Sequence, residues 1–120
     1  MKETSVYDKL TEYCLKKDGA YLDMPFGVDY LVIKLKKGEK SRIFAEIFEL
    51  NGQLKLTFST DESTAELLRM TYPDSIVMGW HCPPVQAKYK STATVQDFST
   101  LELFRFIDLS YERCVEKLKF

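Results

Sequence analysis

Histidine and tryptophan are almost missing from this sequence: one of each in 120 residues, adjacent at Trp80 and His81. A single imidazole limits acid-base and metal chemistry at once. The three cysteines, Cys14, Cys82 and Cys114, are odd in number and show no C-x-x-C spacing, so neither a disulfide framework nor a zinc knuckle has the side chains it needs. Reduced thiols, no metal and no cofactor are expected. Long apolar runs are absent too. Nothing approaches the roughly 18 residues of a membrane span, and the opening MKETSVYDKL holds no secretory apolar stretch. The chain is expected in the cytoplasm, without membrane association. An excess of positive charge is also lacking, with 17 Lys and Arg against 18 Asp and Glu. That balance excludes a uniformly basic nucleic-acid binder.

What is present is a core-forming composition, 45% hydrophobic and 29% charged, that fits one compact domain over residues 1–120 and a monomer. The charge is unevenly placed. From Lys34 to Arg42 the stretch KLKKGEKSR has a net charge of +4, and between Asp74 and Asp97 only Lys88 and Lys90 are charged, adding +2. The remainder therefore carries −7, and the chain is bipolar.

Val6, Leu10, Tyr13 and Cys14 recur at helical spacing behind Ser5 and Asp8 in capping-box positions, with Gly19 as the stop. Turn residues DMPFG follow. Residues 29–36 then alternate as a half-buried strand, Gly38 turns the chain, and residues 41–50 suit a central strand. Asn51-Gly52 is a hairpin signal, because both central positions of a type I′ turn need positive φ. A third strand spans 53–58. Thr60 or Asp61 caps a second helix, with Ala65, Leu68 and Tyr72 on one side and Pro73 as its end. Strands at 75–81 and 88–96 are joined by CPPVQA, whose prolines belong in a turn. A last helix starts at Ser99, capped with Glu102, and aligns Phe104, Ile107, Tyr111, Cys114 and Leu118. The expected fold is α+β with two layers, ordered α-β-β-β-α-β-β-α, its helices covering one face of a five-stranded antiparallel sheet.

Four short stretches in this order resemble a family of small bacterial proteins labelled YjbR or MmcQ: Pro25-Phe26-Gly27, AELLRMTYP at 65–73, Gly79-Trp80-His81, and IDLSY at 107–111. The resemblance implies the same element order and a double-wing DNA-binding role, in which two strand hairpins reach toward the duplex. It implies no reaction. Where the family shows Asn-Lys and then His-Trp after Gly-aromatic-His, this chain has Cys82-Pro83-Pro84 and, further on, Lys88-Tyr89. Ser59 stands where a lysine is common.

Catalysis is not expected. Neighbouring residues on a strand point to opposite faces, so His81 and Cys82 do not form a nucleophilic dyad there. Cys14 and Cys114 fall on apolar helix faces as small hydrophobes. Trp80, sharing a strand face with Ile76 and Met78, is expected to pack against the helices, while His81 is partly exposed on the other face. Two readings of the lysine-rich hairpin stay open: contact with a phosphate backbone, or edge-strand lysines that block aggregation. The first assigns phosphate contacts of weak sequence specificity to Lys36, Lys37, Lys40, Arg42, Lys88 and Lys90, with DNA as partner. The alternative is a protein-interaction module without catalytic activity.

Overall fold

Local chemistry sets the helix ends in the computed structural model, which describes residues 5–27, 29–80 and 82–118. The Ser5 hydroxyl accepts from the Asp8 N–H and starts α1 (Val6–Leu15). The Asp61 carboxylate accepts from the Thr64 N–H at 2.8 Å and starts α2 (Glu62–Thr71). At the start of the long C-terminal helix, Ser99 and Glu102 each accept the other's backbone N–H, a complete capping box. The first helix ends at Leu15 rather than at Gly19. Gly19, at φ 77, instead serves the turn that follows, where its carbonyl accepts from the Lys36 N–H.

That turn leads into an element the sequence pattern did not show. Ala20–Asp23 is a strand, β1, paired antiparallel with β2 (Tyr30–Lys37). Then come β3 (Lys40–Leu50), β4 (Gln53–Ser59), α2, β5 (Ile76–Met78), a short helix α3 (Pro84–Ala87), β6 (Lys90–Thr94) and α4 (Thr100–Leu118). Among the described residues the antiparallel sheet therefore has six strands, not five, in the order β1-β2-β3-β4-β6-β5. β1 covers β2 from Val32 to Leu35, so Lys34 does not lie on a sheet edge, while Lys36 and Lys37 extend past the end of β1. Asn51 and Gly52, at φ 52 and 79, close the β3–β4 hairpin as their types require.

One face of the sheet carries the core. Leu31, Ile33 and Leu35 of β2, with Ile47 of β3 and Leu56 of β4, are buried against α1 and α4. Phe58 stacks on Phe106 of α4 with ring centroids 4.8 Å apart, a pairing that contributes about 0.5–1.5 kcal/mol beyond area burial. Cys14 and Cys114 are buried in the same cluster. The α4 segment 107–111 ties α4 to α1 and to the turn after it. Asp108 accepts from Tyr13 at 2.7 Å and pairs with Lys17, while the Tyr111 hydroxyl donates to the Asp18 carbonyl.

Among the described residues, no helix is long and apolar enough to cross a membrane.

Candidate functional site

The sheet opens between β3 and β4. Opposite Ile33 and Lys34 of β2, strand β3 carries one extra residue, Phe44, a bulge that bends the strand. Pairing of β3 with β4 runs only as far as Glu46 opposite Thr57, although β3 extends back to Lys40 and β4 on to Ser59. In an uninterrupted ladder Phe44 would face Ser59. Instead the buried Ser110 hydroxyl stands between them, accepting from the Ser59 N–H at 2.8 Å and donating to the Phe44 carbonyl at 2.6 Å. One turn later the Cys114 thiol lies 3.5 Å from the Ile43 carbonyl. Helix α4 thus satisfies backbone groups that the split would otherwise leave orphaned.

Beyond this wedge lies a cavity of about 600 Å³. Lys34 of β2, Arg42 of β3, Lys90 of β6, and Arg113 and Lys117 of α4 all reach its wall. Ser41, Ser59, Thr60 and Tyr89 add hydroxyls, and no Asp or Glu lines it among the described residues. Three of the cations have acidic neighbours off the wall: Lys34 with Asp23 at 2.9 Å, Lys90 with Glu46 at 3.8 Å, and Arg113 with Glu116 at 3.7 Å. The hydrogen bond from Lys34 holds the Asp23 carboxyl below the usual carboxylate range.

Of the six cations picked out by sequence, the structure places Arg42 and Lys90 in this cavity. Lys36, Lys37 and Lys40 are exposed around the two-residue β2–β3 turn, where Lys37 and Lys40 are register partners. Lys88 lies over the Tyr89 ring, 5.4 Å from its centroid. Lys34, Arg113 and Lys117 were missed as contacts. The last two are four residues apart on α4, a spacing that marks one helix face, but nothing local ties that face to the β2–β3 turn.

The stretch around Trp80 departs from expectation. Strand β5 stops at Met78 and β6 begins at Lys90, shorter than 75–81 and 88–96. CPPVQA is not a plain turn: Pro83 precedes, and Pro84 opens, the short helix α3, a first-turn position where a missing N–H costs nothing. Gly79 lies against β6, its N–H donating to the Lys90 carbonyl at 2.9 Å; a Cβ there would meet Lys90 Cβ at 2.7 Å and Cys82 Sγ at 2.9 Å. The chain then folds over the helix-free face. Trp80 donates its backbone N–H to Thr92 Oγ1, and its ring stacks on Phe48 at 5.3 Å, away from the helices. Phe48 stacks in turn on Tyr30, and Phe26 of the Pro25-Phe26-Gly27 motif meets Tyr30 edge-on at 5.3 Å while remaining 74% exposed. The expectation that Trp80 shares a helix-facing side with Ile76 and Met78 is therefore corrected: Met78 is itself 50% exposed, and the strand period ends before Trp80. His81, with its expected exposure, lies outside the described residues.

Under this loop Tyr30 donates to Glu46 at 2.9 Å, and Cys82 is half-buried beside Glu46 and Lys90. Burial pushes the Cys82 thiol up, with Lys90 opposing and Glu46 adding to the shift. No group of three His, Cys, Asp or Glu side chains is placed to hold a metal among the described residues.

Comparison with known proteins agrees with this architecture. A search of curated proteins gives no match. The crystal structure of Deinococcus radiodurans protein DR2400, a DUF419 domain, is similar with a TM-score of 0.79 and 28% identity, covering 94% of this chain and 80% of that one. A protein from Pseudomonas syringae, structural genomics target PsR293, shares the fold at a TM-score of 0.68 and 16% identity, over 88% of this chain and 96% of that one. The family model described as YjbR matches residues 15–113, nearly the whole domain from the end of α1 to the last turns of α4, and the chain belongs to the YjbR family.

Proposed function

We propose that this protein binds nucleic acid through its phosphates, with weak sequence specificity and without catalysis. One observation carries the reading: on a chain of net charge −1, Lys36, Lys37 and Lys40 stand exposed together at the β2–β3 turn, and strand β3 leads from it through Arg42 to a cavity with no acidic lining among the described residues. Cations so grouped displace the counterions condensed on a nucleic-acid strand, and that release drives binding. Catalysis by Cys82 is unsupported, since burial disfavours its thiolate. Lys90 contributes less than its place in the sequence suggests, because Glu46 already neutralises it.

The test is fluorescence anisotropy of a short DNA duplex across a salt series. Contacts from Lys36, Lys37, Lys40, Arg42 and Lys88 give a slope of log affinity against log salt of about −4.5, at roughly −0.9 per phosphate. Replacing Lys36, Lys37 and Lys40 together by alanine brings the slope to about −2. A slope that the triple variant leaves unchanged removes the hairpin from the interface. A partner that stays bound through nuclease and high salt marks a protein-interaction module instead.

A further inference from the structure

We infer that the cavity between β3 and β4 is a site for a phosphate monoester, a group carrying one terminal phosphate, and not a stretch of internal phosphodiester. Shape is the first ground. A backbone that runs past a protein follows an open groove, whereas here α4 bridges the split at Ser110 and Cys114, and residues of α3 line one wall of the cavity. At about 600 Å³ the cavity is the size of a small-molecule site.

Charge is the second ground. Five cations on the wall, set against the three carboxylates that pair with Lys34, Lys90 and Arg113, leave a surplus of two positive charges. An internal diester places one negative charge at each phosphorus. A monoester brings −1.5 to −2 near pH 7 and three acceptor oxygens. Arg42 offers a planar fork suited to two of those oxygens, and Ser41, Ser59 and Thr60 place hydroxyls on the same wall.

A monoester reaches such a site from two sources, the phosphorylated end of a nucleic-acid strand or a free nucleotide. Only the first rests on the nucleic-acid reading above. An internally labelled single strand is compared by anisotropy with a 5′-phosphate, a 3′-phosphate or hydroxyls at both ends, with unlabelled AMP as competitor. The expected result is an affinity about tenfold higher for a phosphorylated end, the effect of one or two added charge-assisted hydrogen bonds. Arg42→Ala with Lys117→Ala, both at exposed positions, abolishes that preference. The Lys36, Lys37 and Lys40 triple variant weakens all three strands and keeps their ratio. AMP that competes only far above the strand concentration assigns the site to strand ends, and AMP that binds as tightly as the strand assigns it to free monoesters. Equal affinity for all three strands with no AMP binding overturns the proposal and leaves the nucleic-acid reading standing. AMP binding without strand binding does the reverse. Absence of both overturns both.

Discussion

The two hairpins that the sequence presents as equivalent wings are built on opposite principles. The β2–β3 hairpin closes with two residues, and its end, from Lys36 to Arg42, is exposed throughout. The β5–β6 connection spans 11 residues between Met78 and Lys90, and it lies down on the sheet. Gly79 lets it approach β6, Trp80 covers Phe48, and α3 helps to wall the cavity. One projects charge; the other seals a surface. The difference teaches that a basic stretch becomes a binding wing only if its apolar residues lie elsewhere. In the second connection Trp80 stacks on Phe48 and Gly79 bonds to β6, so the chain is held to the sheet and Lys88 is drawn in with it, half-buried.

The largest test of that contrast is Trp80→Ala. Truncating a fully buried aromatic costs about 3–5 kcal/mol. Trp80 is only partly buried, so a loss of about 2–3 kcal/mol in urea unfolding is expected. If stability is unchanged and nucleic-acid affinity collapses instead, the second connection is a wing after all and Trp80 is a stacking platform.

Ser110→Ala comes next. It leaves the Ser59 N–H and the Phe44 carbonyl facing each other across a gap, each without its partner. A cost of about 1–3 kcal/mol follows from a buried group left unsatisfied. The same variant sharpens the functional comparison, because it acts on Ser59, which lines the cavity, while leaving the lysine turn intact. Preference for a terminal phosphate should fall, and the salt slope should hold. Equal loss in both would mean that the turn and the cavity act as one surface.

Much of this architecture was legible because it is encoded locally. Ser5, Asp61, and the Ser99-Glu102 pair cap helices through bonds that span three residues, and Asn51-Gly52 sets a turn by backbone preference alone. Strand β1 was not legible, since its four residues are at most half-buried and show no alternation; pairing with β2 defines it. The side taken by Trp80 was misplaced because a period of two holds only while the strand lasts, and β5 ends at Met78. The cavity was beyond reach for a different reason. It depends on a bulge at Phe44 and on a hydroxyl 66 residues away, and no window of sequence holds both. Arg42 and Lys90 were identified from charge density, but that density gave no hint that they meet Arg113 and Lys117.

The thiols measure how closely each region is sealed. Cys14 sits at 0% exposure and burial pushes it up to about 12, while Cys82 is half-buried and raised by the same cause to a smaller degree. Folding favours the neutral form of Cys14, so its contribution is complete below the unfolded value near 9 and is lost as pH rises toward 12. Native alkylation should therefore modify Cys82 slowly and Cys14 not at all, with mass spectrometry reading the sites. Rapid reaction of Cys82 near neutral pH would mean that the second connection lifts off the sheet and exposes it.

The smallest expected effect on stability lies at the first hairpin and separates phosphate contact from lysines that merely keep the domain soluble and unaggregated. Lys37 and Lys40 face each other at the closing position of the β2–β3 turn. Like charges directly opposite on neighbouring strands are unfavourable, and an opposite-charge pair there is worth roughly 0.2–1 kcal/mol. Lys40→Glu should accordingly raise stability by a few tenths of a kcal/mol. It should also weaken nucleic-acid binding and reduce the salt slope by more than the single contact removed, because it adds a charge that repels phosphate. A role in solubility alone predicts otherwise, since a mixed-sign turn keeps a small domain soluble as well as a uniformly positive one. If Lys40→Glu gains stability while affinity and salt slope stay the same, the turn's charge has no part in binding, and the cavity must account for any affinity by itself.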